Sequence, residues 1–270
     1  MANATTNKVH LITGGFPRGA LAGHDMDYAR LRLLQFLAEQ PHVVTTVSAD
    51  FTDIQACLAD THLLITYVAG PYPNEEQNQH LNDWLEQGGR WFALHGTSGG
   101  KAARVKSGRT MVKTSHHQTL GGFFLNHPPL RRFAVQVNGE HPLAHDLPAS
   151  FDVDDELYLI EMQGEHQVLL STQIDKDPSP PGFGFAYDKD TSAQADGKTR
   201  VLAFSREVGK GGVTYISLGH CHSPASNSQP FVDDSVADAG ITPGVFRGAW
   251  ETPEFEQLLR NCIAWGLQAA

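Results

Sequence analysis

Fourteen histidines stand among 270 residues, and several adjoin glycines. His24-Asp25 follows Gly23, His95 precedes Gly96, and His220 and His222 follow Gly219. His116-His117 and His127 flank Gly121-Gly122. Imidazole moves protons near neutrality and ligates transition metals, so both chemistries are open. Taken singly, each histidine reads more simply as a hydrogen-bonded structural residue. Convergence of the segments on one edge is what would make a site. If a strand ran on through His220-Cys221-His222, both imidazoles would share a face and the thiol would take the other. Such a pair could hold a divalent metal such as zinc, with a third ligand drawn from His95, Asp25 or Glu156. The expected metal set is His220, His222 and His95. Asp154-Asp155-Glu156 lines up three carboxylates, which raise one another's pKa and can yield a general acid or base. A solvated turn, or a carboxylate that holds a nearby histidine, is the simpler reading.

Composition narrows the partners. Thirty acidic residues against twenty basic ones give a net charge of −10, which repels phosphate backbones and argues against nucleic acid. Lys101, Arg104, Lys106, Arg109 and Lys113 form a local basic run, read as a solvated helix or loop face, with an anion site as the alternative. No apolar stretch approaches the roughly 20 residues that span a bilayer. The start, Met1 to Lys8, is polar and lacks a signal-peptide core, so a cytoplasmic protein without membrane contact is expected. Cys57, Cys221 and Cys262 are odd in number and widely spaced, which fits a reducing compartment. Cys57 and Cys262 read as core filler. Gly209-Lys210-Gly211-Gly212 lacks a phosphate-loop pattern and reads as a hairpin turn, and no dinucleotide fingerprint occurs.

The elements that must position these residues change character half-way. Val9 to Thr13, Val43 to Val47, His62 to Tyr67 and Arg90 to His95 read as strands. Between them Tyr28, Leu31, Leu34 and Leu37, then Ile54, Cys57 and Leu58, then Leu81, Trp84 and Leu85 follow helical spacing. Alternation of this kind means parallel strands joined by right-handed crossovers. Ligands of such sheets bind outside the carboxyl ends of the strands. Those ends carry Gly14-Gly15, Ala69-Gly70 and His95-Gly96. Further on, Phe133 to Val137, Phe151 to Val153, Val168 to Ser171, Val201 to Phe204 and Val213 to Leu218 look like strands with few helices between. Asp175 to Gly184 and Ser223 to Gly248 read as long loops, which in compact domains are often functional. Thr252 and Pro253 open a closing helix striped by Phe255, Leu258, Leu259, Cys262, Ile263 and Leu267. With no repeat and no separable linker, residues 1–270 are expected to form a single domain.

Gly23-His24-Asp25, Leu94-His95-Gly96, Leu120-Gly121-Gly122-Phe123 with His127-Pro128, His141-Pro142-Leu143, Asp155-Glu156-Leu157-Tyr158 and Gly209-Lys210-Gly211 through Leu218-Gly219-His220 occur in one order. Together they resemble the signature segments of the ThuA-like (trehalose utilisation) family, in the class I glutamine amidotransferase-like superfamily. The resemblance runs from about Lys8 to Leu267. It implies a flavodoxin-like doubly wound α/β fold, its sheet mostly parallel, with an added β-rich portion. In that superfamily the fourth-strand elbow carries a nucleophilic cysteine; here it reads Ala93-Leu94-His95-Gly96, so no glutaminase is expected. What the resemblance does imply is carbohydrate metabolism: an enzyme acting on a sugar or keto-sugar by hydrolysis, elimination or isomerisation. His24, His95 and His220 would serve as acid–base or metal residues, and Glu156 as base or orienting group. Asp25, Tyr158 and His127 would hold the substrate. The other readings are a non-catalytic sugar-binding or partner subunit and a metal-dependent hydrolase. A small-molecule sugar is the expected ligand, and a homo-oligomer stays open. His222, Cys221 and the insert 223–248 depart from the family pattern and bear on substrate choice.

Overall fold

A computed structural model describes residues 6–138 and 141–268. The beginning of the polar start segment, residues 1–5, lies outside that range. Strands β1 (Asn7–Gly15), β2 (Val43–Ser48), β3 (Leu63–Ala69) and β4 (Arg90–Leu94) alternate with helices α1 (Met26–Ala38), α2 (Ile54–Leu58) and α3 (Glu75–Glu86). Asp25 caps α1 by accepting Tyr28 N–H, and Asn74 and Gln77 form a reciprocal capping box on α3. Each cap satisfies amide groups that the first turn leaves free. The chain continues through β5 (Lys101–Val105), β6 (Gly108–Val112), α4 (Ser115–Leu120), β7 (Gly122–Asn126), β8 (Arg131–Val137), β9 (Ser150–Asp155), β10 (Leu159–Met162), β11 (Gln167–Gln173), β12 (Thr199–Val208), β13 (Gly211–Ile216) and α5 (Pro253–Leu267).

Nine strands form one sheet in the order β2-β1-β3-β4-β13-β12-β11-β8-β9. The first four pairings are parallel and the last four antiparallel. The sheet is therefore mixed, not mostly parallel as expected. Among the described residues from β8 to β13 no α-helix separates successive strands of the sheet, and antiparallel neighbours need none. The β-rich portion is the other half of the same sheet. Two small antiparallel pairs, β5–β6 and β7–β10, lie outside it. The basic run belongs to the first of these, so it is a hairpin face and not a helix or irregular loop. Arg109 stacks over Phe185, and Lys113, just past the hairpin, pairs with Glu161.

Alternate residues of the central strands enter opposite cores. Leu11 and Ile65 join α1 and α5 through Leu33, Phe36, Leu258 and Leu259. Ile12 and Leu64 join α2 and α3 through Leu58, Leu81 and Leu85. A strand buried on both faces has to be apolar at every position, which explains the unbroken run Leu63–Val68 with its one threonine. Among the described residues no helix is long and apolar enough to cross a membrane. Cys262 is fully buried in the closing helix, whereas Cys57 is only half-buried.

Candidate functional site

The carboxyl edge of the parallel strands gathers four candidate side chains from four chain segments. His24 comes from the loop after β1, and His95 is the first residue after β4. His95 sits at φ +44°, a left-handed conformation costly for a residue with a β-carbon. Gly96 permits the tight turn that follows, because a β-carbon there would lie 2.6 Å from the Val68 carbonyl oxygen. After β13 the chain turns at Gly219, φ +116°, and delivers His220. Glu156 follows β9, at the far edge of the antiparallel half. Asp155 ties the two halves together. Its carboxylate accepts the amides of Gly219 at 2.7 Å, His220 at 2.9 Å and Glu156 at 2.7 Å.

His95 Nε2 lies 3.1 Å from His24 Nε2 and 3.3 Å from Glu156 Oε2. His220 Nδ1 lies 3.2 Å from Glu156 Oε1, and His127 Nε2 lies 3.6 Å from the same oxygen. The Tyr158 hydroxyl reaches His95 Nε2 at 3.0 Å while its ring stacks on that imidazole, centroids 4.3 Å apart. The far nitrogens are held as well. His24 Nδ1 meets Ala22 O at 2.8 Å, His95 Nδ1 meets Ser217 O at 2.7 Å, and His220 Nε2 meets His222 Nδ1 at 3.0 Å. Ligand atoms of His24, His95, Glu156 and His220 all fall within 4.8 Å of one another, and all four residues are buried. Burial, with His95 and His220 close by, pushes the His24 imidazole down to about 3, and burial lowers His220 too. Burial opposes charge on Glu156, yet His127 and His220 beside it hold the carboxyl well below its ordinary range. Burial keeps the Tyr158 hydroxyl protonated, its pKa raised well above the usual phenol value.

Loops 174–198 and 217–247 cover the centre. Gln229 donates from its side-chain amide to Glu156, and Phe183 packs on His127 and on Phe231. A hollow of about 390 Å³ lined by Arg132, Asp154 and Phe246, among others, includes none of the four residues. Among the described residues, the buried cluster brings imidazoles of His24 and His220, lowered by burial, against the carboxylate of Glu156, which makes it the candidate site.

The profile of the ThuA family, described as trehalose utilisation, matches residues 18–236. The chain belongs to the ThuA family. A ThuA-like protein from Bacteroides uniformis ATCC 8492 superposes with TM-score 0.62 at 17% identity, over 98% of this chain and 93% of that one. A second, from Parabacteroides merdae ATCC 43184, gives 0.56 at 16% identity, over 98% and 91%. A beta-galactosidase from Rahnella sp. R3 gives 0.53 at 14% identity, over 79% of this chain and 29% of that one. At these identities the likeness is one of fold. None of the curated proteins matches this sequence.

In this ThuA chain the structure brings together His24, His95, Glu156 and His220, with Tyr158 and His127 beside them. Two expected residues stand elsewhere. Asp25 caps α1 and pairs with Arg247 at 2.8 Å, so neither oxygen is turned toward the cluster. His222 does not present a nitrogen to the shared space. β13 ends at Ile216 and Gly219 breaks the alternation, leaving His222 between His220 and the Pro243 carbonyl, 2.8 Å away. The three acids also separate. Asp154 pairs outward with Arg132, Asp155 holds backbone, and only Glu156 enters the cluster. Burial raises Asp155 to about 7, but Glu156 is shifted down, so mutual repulsion does not govern the trio. His116 and His117 bind the carbonyls of Thr97 and Gly99 and form a separate pair. Gln229, Phe183 and the Asp155 clamp were not foreseen. The first two sit in irregular loops whose residue types carry no positional signal. Asp155 could have been suspected, because a buried carboxylate needs donors and the glycine turn at Gly219 offers free amides.

Proposed function

We propose that this chain is an enzyme acting on a sugar or keto-sugar, with His24, His95, Glu156 and His220 as its reacting centre. One observation carries this reading. The Glu156 carboxylate is buried without lysine or arginine, and three imidazoles, His95, His127 and His220, surround it at 3.2–3.6 Å. The ionised carboxylate can accept a proton, displacement of the Gln229 amide raises its basicity, and the Tyr158 hydroxyl, kept protonated by burial, is a hydrogen-bond donor beside it. A keto-sugar bears acidic hydrogen on the carbon next to its carbonyl. Glu156 takes that proton, the C–H electron pair moves into the carbonyl, and the oxygen takes a hydrogen bond from Tyr158. Departure of a glycosidic oxygen from the next carbon, with a proton supplied to it, completes an elimination. Where the deprotonated carbon bears a hydroxyl, return of the proton to the former carbonyl carbon, with that hydroxyl's proton passing to the former carbonyl oxygen, completes an isomerisation. His127 stands on the same side and can hold a hydroxyl. Gln229 now fills the hydrogen-bonding position on Glu156 and has to yield it to a substrate.

The family's description as trehalose utilisation supports a disaccharide-derived substrate. The strand order β2-β1-β3-β4-β13 supports a flavodoxin-like reading of the parallel half. Amide hydrolysis by a cysteine fits poorly. His95 holds the elbow, and burial pushes the Cys221 thiol up to about 12. Incubating a keto-disaccharide with the protein in D2O tests the proposal by NMR. We expect conversion with deuterium at the carbon beside the carbonyl. Saturable binding without conversion or exchange would instead mark a sugar-binding subunit.

A further inference from the structure

His24 and His95 each commit Nδ1 to a carbonyl oxygen, Ala22 and Ser217. A carbonyl only accepts, so Nδ1 carries the hydrogen and Nε2 keeps its lone pair in both rings. Those two Nε2 atoms face each other at 3.1 Å with no hydrogen to share. His220 is arranged the other way round. His222 gives its Nε2 hydrogen to Pro243 O, so its Nδ1 accepts from His220 Nε2. The lone pair of His220 is left on Nδ1, fully buried and without a hydrogen-bond partner. Three imidazole lone pairs and a carboxylate thus converge inside the protein, with the Tyr158 hydroxyl on His95 Nε2 and the Gln229 amide on Glu156 as the hydrogen-bond donors near them. Acceptors crowded in this way repel unless a cation sits among them.

We propose that His24 Nε2, His95 Nε2, His220 Nδ1 and the Glu156 carboxylate are the ligands of one divalent transition-metal ion. The inference rests on reading this cluster as the reacting centre and assigns that centre a cofactor, with one Glu156 oxygen as ligand and the other left as the base. Tetrahedral ligands about 2.0–2.1 Å from zinc lie roughly 3.3–3.4 Å apart. Contacts of 3.1 Å between His24 and His95, 3.3 Å from His95 to Glu156 Oε2 and 3.2 Å from His220 to Glu156 Oε1 are of that size, the two carboxylate oxygens facing different histidines, and all four residues offer ligand atoms within 4.8 Å of one another. Three nitrogens and a carboxylate suit zinc, iron, nickel or copper, whereas magnesium and calcium prefer oxygen throughout. The supporting shell is also that of a metal site, because each ligating histidine gives its other N–H to a fixed acceptor. That acceptor is a carbonyl for His24 and His95, and His222 for His220. Departure of His222 from the expected metal set thereby becomes a supporting role. Tyr158 and His127 stay outside the ligand set, and a metal that takes the His95 lone pair releases the Tyr158 hydroxyl from its 3.0 Å contact with Nε2 to face a substrate.

The untagged full chain, stripped with a chelator and titrated with Zn²⁺ against a chromogenic chelator, tests this assignment. We expect one tight equivalent per chain and a rise in Tm as zinc is added. Glu156→Gln and His24→Ala should each weaken zinc binding by more than about 100-fold, and His222→Ala by about 10–100-fold. His145→Ala, on an exposed histidine, should leave binding unchanged. Co²⁺ in place of zinc should give the intense visible bands of a four- or five-coordinate ion, and Glu156→Gln should alter them. Circular dichroism on each variant separates loss of ligand from loss of fold. A chain that takes up no tight equivalent overturns the assignment, as does undiminished binding by folded Glu156→Gln and His24→Ala. Turnover of a keto-sugar at full rate by protein that takes up no tight zinc would sink the metal site alone. Tight zinc binding without turnover would sink only the proposed activity.

Discussion

The carboxylate of Asp155 shows how much of the site depends on a residue that does no chemistry. It accepts three backbone amides, two of them from the Gly219 turn that presents His220. Asp155→Ala would strand those buried donors at roughly 1–3 kcal/mol each. Urea denaturation should show that loss, together with a fall in kcat at substrate saturation as His220 and Glu156 drift apart; an unchanged midpoint would contradict it. At this scale the sequence was partly readable. His24, His95 and His220 could be picked out because each follows a strand or a glycine at the carboxyl edge. Asp25 stands one residue before α1, an N-cap position, and its carboxylate is spent there and on Arg247. His222 was misread because strand alternation was carried through Gly219, whose positive φ ends it.

The loops are the elements that decide access. Loop 174–198 is pinned by Asp177, which accepts from Asn126, Ser179 and Tyr187. Burial works against the Asp177 charge, but hydrogen bonds from Ser179, Tyr187 and Asn126 outweigh it and lower its pKa. A carboxyl lowered in the folded state contributes stability above its unfolded pKa, roughly pH 4, and loses it as pH falls through the lower folded value. Pepsin nicking of this loop, normalised to an unfolded substrate, should therefore rise between about pH 5 and about pH 3. Nicking at a constant rate across that window would show that Asp177 does not anchor the loop. Sequence marked both covering segments as long and irregular from their proline, glycine and polar residues. It could not show that Gln229 and Phe183 turn inward, since a loop without periodicity has no face to read.

Across the whole molecule, β13 joins two halves of opposite strand sense. Its parallel neighbour is β4 and its antiparallel neighbour β12. The alternation of helix and strand up to His95, and its disappearance afterwards, was visible in the sequence. The return of the last strand to the middle of the sheet was not, because strand order depends on which apolar edges meet at long range. One core cluster spans the junction, holding Leu11 from β1 and Leu170 from β11. We expect one cooperative unfolding transition by fluorescence and circular dichroism. Leu11→Ala and Leu170→Ala should each lower it by about 2–5 kcal/mol. Two transitions, each answering to only one substitution, would mean that the halves are independent. The joined sheet matters for chemistry because Glu156 comes from one half and the histidines nearest it from the other. The most direct test of that shared centre is kcat/KM on a keto-disaccharide for wild type and Glu156→Gln. Our account predicts a fall of about 10²–10⁴-fold in a protein with an unaltered circular dichroism spectrum. Equal rates from the two proteins would contradict it.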